Sequence, residues 1–265
     1  VATEAAALPR SRRGGITVDR VTKEFASASG PVTAISDVSM EIQPGQVTVL
    51  IGPSGCGKST LLNMFAGLDQ PTSGIIEVNG GDVDRGTVGM MFQKSSLLQW
   101  RTVEQNVMLP AELLGLDRAH AKARTAELLE LVGLGRWSRS YPSELSGGMQ
   151  QRVALARVLL TEPDIILLDE PFGALDEMTR EGLDIEMCRI IEGSSTTMVM
   201  VTHSIYEAVL VADTVVVLSA HPGRIAGIVS VPLARPRSIE MSASDLFAET
   251  IAEVRQLLRT GGSHD

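Results

Sequence analysis

Aromatic side chains make up only 3% of this 265-residue sequence, too few for a platform that stacks unpaired bases. Basic residues are outnumbered: 23 Lys and Arg face 32 Asp and Glu, for a formal net charge of -9. That excludes a surface built to neutralise phosphates over its whole area, so no nucleic-acid partner is expected, although a local basic patch stays compatible. Cysteine is scarce too. Cys56 and Cys188 have neither CxxC nor Cys/His ligand spacing, which gives no disulfide framework or zinc site and suits a reducing compartment. No apolar run approaches the roughly 18–20 residues of a membrane-spanning helix. Residues 1–15 hold a short Ala-rich patch followed by Arg10, Arg12 and Arg13; lacking the apolar stretch of a secretory signal, they read as a flexible tail. The chain is expected to be soluble, so any membrane role must come through partners. Core material is plentiful: 44% of the residues are hydrophobic, which excludes a disordered chain. The length suggests one large domain, or one domain with a small lobe.

The apolar, β-branched run Val47–Ile51 has the texture of a strand buried on both faces. It leads directly into a Gly-rich turn, after which Leu61–Leu68 carries helical spacing. Ile75–Val78 and Val88–Phe92 read as further strands. Between Gln93 and Tyr141 strand signals vanish, and Val103–Leu114 and Arg118–Val132 have helical spacing, the mark of a helical insert. Another helix, Met149–Leu160, is stopped by Glu162-Pro163. Ile165–Leu168, Met198–Val201 and Thr214–Leu218 are the remaining buried strands. Alternation of strands with helices implies an α/β fold around a mainly parallel sheet with covered faces. Ser244–Leu258 brings Leu246, Phe247, Ile251, Val254, Leu257 and Leu258 close to one helical face. The tail at 261–265 reads as loose.

Gly52-Pro53-Ser54-Gly55-Cys56-Gly57-Lys58-Ser59-Thr60 matches G-x-x-x-x-G-K-[ST]. Its glycines let backbone N–H groups turn inward around phosphate oxygens, and the following helix adds free N–H donors and its positive dipole end. Lys58 is expected at the β/γ-phosphates of ATP, and the Ser59 hydroxyl on Mg²⁺. A chance Gly-rich turn is the bland alternative, and the strand before and helix after weigh against it.

The strand at Ile165–Leu168 ends in Asp169 and Glu170. Ligands gather at the carboxyl ends of strands in open α/β sheets, so both acids fall where a nucleotide would sit. Neighbouring strand residues point to opposite faces, which suggests separate jobs. Asp169 suits the Mg²⁺ shell, and Glu170 suits orienting or deprotonating the attacking water. Without the phosphate loop, two solvated acids opening a surface turn would explain them equally well. His203 follows the Met198–Val201 strand by way of Thr202. A lone His is more often structural, but a strand end is also where one could contact a γ-phosphate or hold the water. His120 and His264 have no such setting and read as exposed.

Leu145-Ser146-Gly147-Gly148-Met149-Gln150-Gln151-Arg152 opens another helix, with Ser146 as a natural N-cap. By themselves these residues say no more than a well-capped helix. Taken together and in order, GPSGCGKST, Gln93, LSGGMQQR, IILLDE, Gly173-Ala174-Leu175-Asp176 and His203 resemble the ATP-binding subunits of ABC transporters, over roughly Ile16 to Ile225. The resemblance implies a RecA-like P-loop NTPase core with an antiparallel β-lobe and a helical subdomain, about 94–152. It also implies a head-to-tail dimer, homo- or heteromeric, in which Ser146, Gly147 and Gly148 of one copy meet the γ-phosphate held by the other. By the same resemblance Gln93 touches Mg²⁺ or the water and senses the permease, Asp176 crosses the interface, and His203 is the γ-phosphate switch. Phe25 falls where the family sets an aromatic ring against adenine; a strand-edge core residue is the lesser alternative.

Two positions depart from the family pattern: Met149 stands where Gln is commoner, and Gln99 where relatives often carry Pro. Leu97–Val107, Phe172–Asp176 and Ser219–Ile225 are similar to the nitrate/sulfonate/taurine importer subfamily, and the segment 226–265 holds just one amphipathic helix. This resemblance implies an integral membrane permease as partner, an extracytoplasmic solute-binding protein acting indirectly, and a peripheral place on the cytoplasmic face of the inner membrane. The competing readings are a non-transport ABC ATPase, a small-molecule P-loop kinase and a non-enzymatic scaffold. The first would call for coiled-coil inserts or two nucleotide-binding halves. The second leaves LSGGM and His203 without purpose, and the third leaves Glu170 and His203 without purpose.

Overall fold

The computed structural model describes residues 14–28, 30–81, 83, 86–173, 175–192 and 195–261. The tail expected over 1–15 thus lies outside the described residues up to position 13, as do Ala174, His264 and the end of the chain from 262.

Strands β3 (Val47–Ile51), β5 (Val88–Met91), β6 (Ile165–Asp169), β7 (Thr197–Thr202), β8 (Thr214–Leu218) and β9 (Ile225–Ser230) form one sheet in the order β5-β6-β7-β3-β8-β9. All neighbours are parallel except β9, which runs antiparallel to β8 at the edge. Every residue of β3 and β7 is buried, which is why these stretches read as continuous apolar runs. Strand alternation sends Val47, Val49 and Ile51 into one core cluster and Leu50 into the other, so the sheet is covered on both faces.

The second sheet has the order β2-β1-β4, with β1 (Ile16–Phe25) paired antiparallel to both β2 (Val32–Ile42) and β4 (Ser73–Val78). Its apolar face, with Ile16, Val18, Val21, Ile35 and Val38, shares a cluster with Leu61, Leu62 and Phe65 of α1 (Lys58–Phe65). Ile75–Val78 therefore belongs to this lobe and not to the parallel set, and Ile75 is exposed. Alternation gives the strand but not the partner, since pairing is decided by side chains distant in sequence.

Helices α2 (Val103–Val107), α3 (Leu109–Leu114), α4 (Arg118–Leu131) and α5 (Gly147–Leu159) follow β5, with β6 next. The helix expected over Val103–Leu114 is broken at Met108, because Pro110 lies in the first turn of α3 and has no N–H to continue the ladder. Thr102 starts α2 with a capping box closed by Gln105. Two helices escape the sequence reading, α6 (Glu177–Glu192) and α7 (Ile205–Val211). Their buried faces include Asp184 and Glu207, which blur the apolar period that announces a helix. Strand β9 escapes it too. Its Gly227 admits α8 (Asp245–Gly261) so closely that a Cβ would stand 2.6 Å from Leu257. Phe247 and Val254 of α8 are buried, Phe247 against Tyr206 with ring centroids 5.2 Å apart, whereas Leu246 stays exposed. No helix of the described residues is long and apolar enough to cross a membrane.

Candidate functional site

The turn from β3 into α1 is shaped by two left-handed glycines, Gly55 (φ 77°) and Gly57 (φ 92°). Gly57 tolerates no side chain on steric grounds as well: a Cβ there would lie 2.3 Å from Ile35 of the antiparallel lobe. The loop is thus clamped between the lobe and the parallel sheet. Lys58 is buried and its ammonium donates to the carbonyls of Gly52 (2.8 Å) and Pro53 (3.0 Å), with Cys56 Sγ at 3.8 Å. A single cation at the mouth of a loop of backbone N–H groups suits a polyphosphate. Ser59 Oγ donates to Asp169 Oδ1 at 3.0 Å. Burial is the main influence on Asp169 and pushes its carboxyl above the usual range; the Ser59 hydrogen bond works against that shift. A hydroxyl beside a carboxylate is the kind of oxygen pair a hard divalent cation takes. Among the described residues no group of three or more His, Cys, Asp or Glu could hold a metal unaided, so such an ion would depend on phosphate oxygens as well.

Glu170 does not continue the strand. Its backbone is left-handed (φ 44°), and its N–H donates to the Val201 carbonyl at 3.0 Å. The two acids do face different groups, but this turn separates them and strand alternation does not. Glu170 Oε2 lies 3.2 Å from Gln93 Nε2, which donates to it, and 3.5 Å from His203 Nδ1. Residues from the ends of β5, β6 and β7 therefore converge on one carboxylate oxygen.

Gly52–Thr60, Gln93, Asp169, Glu170 and His203 thus form one group. Ser146, Gly147 and Gly148 belong to another. Ser146 caps α5 by accepting from Met149 N–H at 3.3 Å, and the space beside Gly148 is bounded by Leu175 and Thr179 at 3.6–3.7 Å. Asp176 accepts from Thr179 N–H at 3.0 Å, which holds its carboxyl below the ordinary range. Phe25 ends β1 with an exposed ring and the Lys23 ammonium 5.0 Å from its centroid.

The sequence reading overlooks the side chains that join these groups. Gln151 Nε2 donates to the Gln93 carbonyl at 2.9 Å, Ser95 Oγ donates to Gln150 Oε1, and the Arg157 guanidinium donates to the carbonyls of Ser95 (2.8 Å) and Ser96 (3.0 Å). Residues 93–96 are thereby strapped to α5. Arg157 is the signal that could have been read, because a charge on an otherwise apolar helix stretch demands a buried partner.

Cys56 offers a direct test of the loop. Burial raises its thiol pKa while Lys58 pulls the other way, and Cys188 is pushed up to about 12 by burial. A bulky thiol reagent is expected to modify Cys56 first, faster as pH rises and the thiolate forms. With Cys56 Sγ only 2.7 Å from where a Gly52 Cβ would stand, an adduct has no room without spreading the loop. The modified protein should lose nucleotide binding in an equilibrium titration; normal affinity after full modification would overturn the expectation.

The chain has relatives among known proteins. The ABC transporter family profile matches residues 35–173. The aliphatic sulfonates import ATP-binding protein SsuB of Bacillus cereus is 40% identical over 249 residues, 93% of this chain and 97% of that protein. The nitrate import ATP-binding protein NrtC of Synechococcus elongatus is 47% identical over 251 residues, 92% of this chain but 38% of that longer protein. Among solved structures, a dimeric post-hydrolysis state of the ATP-binding cassette MJ0796 bound to ADP and Pi superposes with a TM-score of 0.73 at 31% identity, covering 83% of this chain and all of that one. The chain belongs to the ABC transporter family, as one of its ATP-binding, ATP-hydrolysing subunits.

Proposed function

We propose that this chain is the ATPase of a solute importer, working as one half of a head-to-tail pair at the cytoplasmic face of a membrane. Within the site, Gly52–Thr60 cradles the phosphates and Lys58 neutralises them. Ser59, Asp169 and Gln93 would hold Mg²⁺, which when bound supplies positive charge to the phosphate oxygens. Glu170 takes the proton of the attacking water, and His203 holds the γ-phosphate end of the site. Phe25 packs against the base. Ser146, Gly147 and Gly148 reach the nucleotide of the second subunit, and Asp176 lies at the junction between the two. The observation that carries this reading is the convergence of Gln93 and His203 on Glu170 Oε2, at 3.2 and 3.5 Å, beside the Ser59–Asp169 pair. A carboxylate so framed is oriented for one proton transfer.

The import direction is supported by the relatives named for import of aliphatic sulfonates and nitrate. Small anions of the sulfonate or nitrate kind are accordingly the solute class proposed. A separate permease would span the membrane, and an extracytoplasmic binding protein would select the solute. Purification from host membranes in mild detergent, followed by mass spectrometry, tests the assembly. A multi-span permease is expected to co-purify; ribosomes or DNA-bound factors in its place would overturn the transport role while leaving the ATPase intact.

A further inference from the structure

The loop that carries His203 rests on a pair of buried acids that the proposed hydrolytic cycle does not use. Asp184 on α6 and Glu207 on α7 are 1% and 5% exposed, and their carboxyl groups hydrogen-bond each other. Two carboxyl groups can do this only if one of them carries a proton, since ionised carboxylates only accept. The neighbours decide which one. Thr202 donates its hydroxyl hydrogen to Glu207 Oε2, so Glu207 is an acceptor. Asp184 Oδ1 is buried and meets no donor among the described residues, as expected of an acid that is itself the donor. Burial, then the Glu207 charge, push the Asp184 carboxyl up to about 9. The titratable and charged groups facing the pair are Arg180, Glu181 and Cys188 of α6, and His203 beyond β7. The Arg180 guanidinium also donates to the carbonyls of Phe172 (3.3 Å) and Leu175 (2.8 Å).

The pair connects to the site through a short stretch of chain. Thr202 Oγ1, engaged by Glu207, also accepts from Ser204 N–H at 3.0 Å. Ser204 Oγ in turn accepts from Glu207 N–H at 3.2 Å. His203 is thus flanked on both sides by residues fastened to Glu207, and its Nδ1 faces Glu170 Oε2 at 3.5 Å.

We propose that Asp184 and Glu207 share one buried proton, and that this proton, acting through Thr202, positions His203 against Glu170 for hydrolysis. Asp184 is a positioning residue, touching neither nucleotide nor water. Loss of the proton sets two negative charges against each other in a buried site, and the cheapest relief is for Glu207 to turn away and release Thr202. Because Asp184 holds the proton below about pH 9, turnover should fall as pH rises through that value. An Asn at position 184 donates the same kind of hydrogen bond and cannot ionise.

The inference rests on the roles proposed above for His203 and Glu170, and one experiment separates the two. ATP turnover of the full chain is measured at saturating nucleotide from pH 7 to 10 for the natural protein, Asp184→Asn, Thr202→Val, Thr202→Ser and His203→Ala. The natural protein should lose about tenfold between pH 8 and 10, the change in protonated fraction about a pKa near 9. The same ratio for Asp184→Asn should be below about twofold. Thr202→Val should lower kcat with little change in KM, whereas Thr202→Ser, which keeps the hydroxyl, should retain the natural pH profile. An undiminished alkaline fall in Asp184→Asn, with His203→Ala inactive, overturns the proton pair and spares the site. Natural turnover by His203→Ala overturns the role of His203 itself. Should Asp184→Asn fail to fold, the Thr202 variants decide: identical profiles for Val and Ser remove the link to Glu207.

Discussion

Replacing Glu170 by Gln is expected to slow ATP hydrolysis by about 10²–10⁴-fold, the usual contribution of a positioned general base, while leaving ATP affinity close to its natural value. Gln preserves the length and one acceptor oxygen of the side chain, so it can still receive the Gln93 Nε2 hydrogen bond seen at 3.2 Å. The backbone bond from position 170 to the Val201 carbonyl is one the substitution does not touch. What disappears is the ability to take a proton. The phosphate loop and the Ser59–Asp169 hydrogen bond do not use the Glu170 side chain, so nucleotide still binds and is not consumed. Binding without turnover should accumulate the ATP-bound pair of subunits, visible as an ATP-dependent shift to dimer in light scattering. Turnover of the Gln variant at the natural rate would remove Glu170 from the water-activating role.

The contrast between position 170 and its surroundings shows what a sequence can carry. The phosphate loop is legible because its glycines answer local demands: Gly55 and Gly57 must be left-handed wherever the rest of the chain goes. Buried strands such as Val47–Ile51 are legible because burial on both faces leaves a continuous apolar run. Asp169 and Glu170 are recognisable as a pair at a strand end, but the reason they diverge is not. It lies in a single dihedral angle, the left-handed φ of Glu170. The links from Gln151 and Arg157 to residues 93–96, and from Glu207 to Thr202, are hidden for a related reason. They join side chains across elements, and no period or propensity records such contacts. Polar residues on buried faces even work against the reader, as Asp184 and Glu207 do by masking α6 and α7. A buried charge on a helix that lacks a clean apolar stripe is better read as a sign of a partner than as a sign of a loop.

Lys58→Ala should weaken ATP binding itself, by about a hundredfold, as expected from loss of one or two charge-assisted hydrogen bonds at about 1.5–3 kcal/mol each. Lys58 is 7% exposed, and its ammonium is satisfied by the carbonyls of Gly52 and Pro53 at 2.8 and 3.0 Å. Those acceptors are neutral, and Asp169, which feels the Lys58 charge, is itself engaged by Ser59, so the cation stays available to a polyphosphate at the mouth of the loop. Alanine removes that charge and also leaves two loop carbonyls without their donor. The same substitution should therefore lower thermal stability of the nucleotide-free protein by about 1–2 kcal/mol, the ordinary cost of unpaired buried acceptors. The two effects are separable. Equilibrium titration with a non-hydrolysed ATP analogue reads the affinity, and thermal unfolding without nucleotide reads the loop. Lys58→Arg keeps the charge, but a planar guanidinium is broader than the ammonium now held between Gly52, Pro53 and Cys56, so it should restore stability only partly and affinity poorly. Unchanged affinity in the alanine variant would sink the assignment of this loop to the phosphates.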